Sequence, residues 1–186
     1  MLAPVFTKLI AISCSIYLLS LVSYDPIPIA LAAQSVNNNN NNNNNDPIIK
    51  AIQEASSTNI KYLKAKATVK DFELNVVVPI TSELMSKGLA VKNQMKENEA
   101  MLFVFKEPSK HSFWMKDMKF PIDIMWLDNN GKIVHIEENL EPCPLALVCP
   151  SYIPNADSQY VLETVAGFTQ KYNINVGTDV DLELVK

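Results

Sequence analysis

Arginine is absent from all 186 residues, so every one of the sixteen basic side chains other than histidine is a lysine. Proteins that grip phosphate backbones present a basic face and use the bidentate guanidinium fork. A chain of net charge −4 without that fork is therefore read as having no nucleic-acid partner. Glycine is scarce as well, with four residues, which excludes a Gly-rich phosphate loop or dinucleotide cradle. Neither G-x-S-x-G nor H-E-x-x-H occurs. His111 and His135 are the only histidines, too few for a histidine-rich metal centre without carboxylate or thiolate help. No metal and no cofactor is expected. Long apolar runs are missing too, with one exception at the front.

That exception is the run LIAISCSIYLLSLVSY from Leu9 to Tyr24, preceded by a segment whose only side-chain charge is Lys8 and followed by DPIPIALAA. This is the layout of an export signal, with Ala30-Leu31-Ala32 as a small-residue cleavage site. The rival is an uncleaved anchor. Sixteen residues at about 1.5 Å each reach about 24 Å, against roughly 30 Å of hydrocarbon. Residues 1–32 are read as export signal or membrane anchor, and both place the folded part outside the cytoplasm. The expected location is secreted or extracytoplasmic, with any membrane contact confined to residues 9–24. Cys14 lies inside the leader, in the context AISC, which lacks the leucine expected three residues before a lipidated cysteine. Cys143 and Cys149 then form an even pair in an exported domain, where a bridge persists. Closing so short a loop contributes about 2–2.5 kcal/mol in the chain-entropy picture, before strain is subtracted.

Residues 33–46 hold nine consecutive asparagines. They have no apolar surface to offset the cost of ordering and read as a disordered linker. Residues 47–68 supply a helix and a lead-in strand, the helix capped by Asp46 ahead of Pro47 with Ile48, Ile49 and Ile52 at helical spacing. Val69, Phe72, Leu74, Val76 and Val78 are strand-like. Thr81 or Ser82 caps a second short helix running to Leu89. Met101 to Phe105, uniformly apolar, reads as a central strand buried on both faces. Strands are expected at Ser112 to Met115, Ile122 to Leu127, Lys132 to Glu137, Tyr160 to Thr164 and Asp179 to Leu184, with a helical turn in Ala166 to Tyr172. Asp128-Asn129-Asn130-Gly131 joins two of them as a hairpin, because Asn and Gly tolerate positive φ. Its glycine stands fourth where a calcium loop needs it sixth, so it is a turn. The expected fold is mainly β: a compact antiparallel β-barrel or jelly-roll-like sandwich over residues 69–186, with a few short helices.

GLAVKNQMKENEAMLFVF at 88–105, FWMKDMKFPIDIMWLDNNGKIVHI at 113–136, the cysteines at 143 and 149, and YVLETVAGF at 160–168 together resemble the family called domain of unknown function 192. The resemblance implies a β-barrel or jelly-roll-like fold, frequently behind an export signal, with no established activity. Two positions depart from its pattern: Lys92 stands where an arginine is usual, and Asp117 where an asparagine is usual. The first removes a bidentate contact.

Trp114, Lys116, Asp117, Asp123 and Glu163 are the candidate binding residues. Trp114 offers a flat apolar face and Lys116 and Asp123 polar anchors, the mixture common in small-molecule sites. The competing structural account has Trp114 in the core, Lys116 solvated, and Asp123 pinning a turn through backbone N–H groups. Glu163 sits among apolar neighbours and is read as facing outward, or, if inward, as paired with Lys92 or Lys116. Asp117 and Asp123 have no fixed separation, so a paired acid and base is not read from them. Zinc on the two late cysteines and a histidine gives way to a disulfide in an exported chain. The functional expectation is a non-catalytic extracytoplasmic binding or interaction domain whose partner is an unknown small ligand or an envelope protein. An uncharacterised hydrolase-like enzyme using the Trp/Lys/Asp cleft and a structural envelope protein are the alternatives.

Overall fold

Along YLKAKATV, small and branched residues alternate with lysines, and the chain forms β1 (Tyr62–Val69), with Ala65, Ala67 and Val69 buried and Lys64 exposed. The computed structural model describes residues 46–143 and 148–185; the expected leader and nearly all of the asparagine spacer lie outside them. The first element is α1 (Pro47–Ala55), whose N-cap Asp46 accepts hydrogen bonds from the Ile48 and Ile49 amides. β2 (Phe72–Pro79) pairs antiparallel with β1. Thr81 caps α2 (Ser82–Lys87), which continues into a 3-10 turn over Gly88–Val91. The chain then enters β3 (Glu99–Ser109), which lies parallel to β2. Parallel neighbours need a crossover, and here it lays α2 and the turn across one face of the sheet.

After β3 come β4 (Phe113–Trp114), β5 (Ile122–Leu127), β6 (Ile133–Leu140), β7 (Ser151–Tyr152), β8 (Ser158–Val165), the short α3 (Phe168–Lys171) and β9 (Val180–Leu184). Seven of these strands form one sheet in the order β6-β5-β8-β3-β2-β1-β9, while β4 and β7 pair separately. Apart from β2 with β3, the neighbours are antiparallel. The fold is therefore mainly β, with a few short helices, as expected. The closed barrel is not what the ladder forms among the described residues. β6 and β9 remain edges and meet only at one corner, through the Lys132–Asp179 bridge and the Val180 amide donating to Gly131 O at 2.8 Å. A Cβ on Gly131 would fall 2.4 Å from Val180 O, and its φ is +79°. That position is closed to other residues by contact and by backbone conformation together.

Period-2 alternation sends side chains of the central strands to two cores. One face carries Ala100, Leu102, Met125, Leu127, Tyr160 and Leu162, packed against Ile48 of α1 and Phe168 of α3. The other carries Met101, Phe103, Ile122, Ile124, Trp126 and Val161, packed against Leu89, Met115 and Met118. β5 is buried at all its positions, Asp123 included, as a central strand covered on both faces is. Trp126 is fully buried and donates its indole N–H to His111 O at 2.8 Å. No helix among the described residues is long and apolar enough to cross a membrane.

Candidate functional site

The second core is not filled throughout. A cavity of about 460 Å³ opens between the sheet and the segments laid over it. From the crossover come Met85, Gly88 and Leu89, and from β3 come Phe103 and Phe105. Gly88 has φ +48°, and a Cβ there would stand 3.3 Å from the Phe103 ring. The backbone of the turn approaches the aromatic wall closely because glycine permits it.

The outer wall is the segment after β3. Its residues alternate: Met115 is fully buried and Met118 nearly so, while Trp114 is 53% exposed. The two methionines anchor the segment in the core, which leaves Trp114, Lys116 and Asp117 around the rim. Asp117 adopts φ +59°, a left-handed conformation in which Asp and Asn are enriched several-fold over other side chains. Asp117 therefore suits this backbone and brings a carboxyl group to the rim. Lys116 Nζ lies 5.3 Å from the Trp114 ring centroid, a cation–π distance. β7 pairs with Phe113 and Trp114, Lys116 bridges Cys143, and the Cys143 amide donates to Met115 O at 3.0 Å. Cys143 and Cys149 lie at disulfide distance, with Cα atoms 5.9 Å apart. The bridge thus stands directly behind the cavity wall.

Glu163 forms part of the floor. It lies between Met101 of β3 and Ile124 of β5 and is 5% exposed. It does not face outward as a strand glutamate was expected to. Nor is it paired with either lysine: Lys92 holds Glu99 at 2.9 Å and Lys116 rests over Trp114. Oε2 of Glu163 is buried with no hydrogen-bond partner among the described residues. Burial alone pushes its carboxyl up to about 8, because a charge taken out of water without compensation favours the neutral form. At neutral pH the floor of the cavity is a protonated acid.

Asp123 is placed elsewhere. One residue out of phase with Ile122 and Ile124, it faces the opposite core, fully buried. There it accepts from the amides of Asn139 at 2.8 Å, Gly167 at 3.1 Å and Thr169 at 2.9 Å, and from the Thr169 hydroxyl at 2.8 Å. The turn-pinning account of Asp123 holds and its place in the cleft does not. Trp114 departs from its structural account, being a rim residue rather than core. Of the five candidates, Trp114, Lys116, Asp117 and Glu163 share the cavity. Of the residues offered for a hydrolase, Lys116, Asp117 and Glu163 line the cavity, while Asp123 faces the other core. His111 stacks on Phe105 with centroids 3.5 Å apart, and burial lowers its pKa. His135 Nε2 lies 3.1 Å from Glu137. No group of three or more His, Cys, Asp or Glu side chains able to hold a metal occurs among the described residues.

The sequence reading missed the aromatic and aliphatic lining: Phe103, Phe105, Phe113, Met85 and Leu89. These residues are drawn from three separated segments, and only the crossover brings them together.

Fold and cavity thus define a mainly β domain with an apolar recess floored by one acid. The chain belongs to the domain of unknown function 192 family, described as an uncharacterized ACR, whose pattern it matches over residues 63–182. No curated protein matches the sequence. Two solved structures share the fold. One is a protein from Sinorhizobium meliloti 1021, described as a proposed transcription regulator, with 23% identity and a TM-score of 0.56, covering 67% of this chain and 97% of that one. The other is a protein of unknown function from Novosphingobium aromaticivorans DSM 12444, with 21% identity and a TM-score of 0.57, covering 64% of this chain and 84% of that one. At such identities the likeness concerns the fold.

Proposed function

We propose that this protein is a non-catalytic binding domain that works outside the cytoplasm and takes a small ligand into the cavity over Glu163. The observation that carries the reading is the pairing of an apolar recess with one buried carboxyl group that the protein leaves without a partner. Buried polar groups are ordinarily satisfied. One that is left open inside a recess of ligand size is poised to be satisfied by something that enters. The rim adds a flat exposed indole and two oppositely charged side chains, Lys116 and Asp117. The export-type leader supports the extracytoplasmic part, and the sulfur–sulfur distance at Cys143 and Cys149 is compatible with an oxidising compartment.

A thermal-shift screen tests the binding. A ligand at 100 times its dissociation constant adds about 2.7 kcal/mol of stability, a shift of several degrees for a domain of this size. The expected result is a hit that disappears when the recess is filled by Leu89→Trp. If panels of amines, glycans, peptides and metal ions all leave the melting point unmoved, small-ligand binding loses its support and a protein partner takes its place. Alkylation without prior reduction tests the compartment: protection of Cys143 and Cys149 in the native protein is expected, and labelling of both contradicts it.

A further inference from the structure

We propose that the ligand of this cavity is an organic cation, an ammonium group on an apolar or aromatic body, held with its charge against Glu163. The inference rests on the cavity being a ligand site and names what enters it. Glu163 is nine-tenths buried and more, with Oε2 lacking any donor among the described residues. The lysines that line the cavity are otherwise engaged, Lys87 with Glu83 and Lys116 over the Trp114 ring, and Lys92 is held by Glu99. The remaining charge on the rim, Asp117, is negative.

The walls suit the same guest. Phe103 and Phe113 stand edge to face at 4.9 Å and 79°, and Phe105 meets Phe113 at 6.5 Å and 89°. The recess is thus walled by aromatic carbon, against which the organic body of such a guest packs. Trp114 already carries a cation, the Lys116 ammonium, on its face. An inorganic cation would lack ligands, since no group of three suitable side chains occurs among the described residues.

Binding of a permanent cation has a proton consequence. In the empty cavity burial holds the Glu163 carboxyl protonated up to about pH 8, and no neighbouring charge contributes to that shift, although Lys87, Lys116 and Asp117 line the cavity and the Lys92–Glu99 pair lies further along the same sheet face. A quaternary ammonium pairs with the carboxylate, so Glu163 releases one proton to solvent as the guest enters. Affinity then rises about tenfold per pH unit below the carboxyl's pKa and levels above it.

The test is titration calorimetry of the full-length protein with phenyltrimethylammonium and with its uncharged isostere tert-butylbenzene, from pH 6 to pH 9. The cation is expected to bind about 50-fold more tightly at pH 8 than at pH 6, with proton release seen as a buffer-dependent heat. The isostere should show no such rise. Glu163→Gln, which matches the protonated acid in shape, is expected to lose the pH dependence and most of the cation affinity while still taking the isostere. If the isostere binds wild type as well as the cation at every pH, the charge pairing is wrong and the ligand-site reading stands. If neither probe binds, both fall.

Discussion

Asp123 and Glu163 sit on adjacent strands of one sheet, a single register step apart, and point to opposite faces. Both are buried. Asp123 is met by four donors, three of them backbone amides from the β6 end and from the turn around α3. Glu163 is met by an apolar recess and has one oxygen with no partner. The difference teaches that burial alone does not assign a carboxyl group its role. The donors do: a satisfied carboxylate ties elements together, and an unsatisfied acid is a cost the fold retains.

That contrast can be broken most forcefully through pH. The Glu163 carboxyl is raised from 4.5 in the unfolded chain to about 8 in the folded one, so the folded state holds the proton more tightly. Its contribution to stability is fully present below pH 4.5 and is lost as pH rises through about 8. The slope is about 1.4 kcal/mol per pH unit, on the order of 5 kcal/mol across the window. Urea denaturation of wild type and Glu163→Gln at several pH values should show this difference, with the variant lacking that portion of the slope. Equal slopes would mean that Glu163 is solvated.

Removing the other carboxyl should cost nearly as much, but with the opposite diagnosis. Asp123→Ala strands three amides and a hydroxyl, and a loss of about 3 kcal/mol is expected in the same denaturation experiment. A loss under about 1 kcal/mol would show that those donors find other acceptors. Replacing Cys143 and Cys149 by serine is expected to cost about 2 kcal/mol, and to weaken any ligand of the cavity, since the bridge stands behind the Trp114–Lys116 wall. The smallest effect belongs to Lys92, whose pair with Glu99 is about one-third exposed. Lys92→Met should cost under about 1 kcal/mol, and a larger loss would promote that pair to a structural anchor.

Much of the fold was legible because local rules agree with it. The Asp46 cap, the β5–β6 turn, the alternation of β1 and the apolar run of Met101 to Phe105 in β3 are each dictated by neighbours in sequence. Whether the sheet closes was not, and a barrel was expected where β6 and β9 remain edges, since closure depends on how far those strands lie from pairing along their length, a property of the whole sheet. The site was legible along the outer wall, where Trp114, Lys116 and Asp117 are contiguous. Asp123 was assigned to the cleft from its proximity in sequence, and strand parity sends it to the other face. Glu163 was read as outward because a lone strand glutamate usually is. The available signal was the apolar run Tyr160-Val161-Leu162 before it and Val165 after it, which marks a strand covered on both faces and leaves no outward side.

The protonation of Glu163 in the empty cavity is the point on which the account turns. Infrared difference spectroscopy between wild type and Glu163→Gln reads it directly. The account predicts a protonated-carboxyl band at pH 6 that disappears as pH passes about 8; a carboxyl group already ionised at pH 6, titrating with the surface acids, would contradict it.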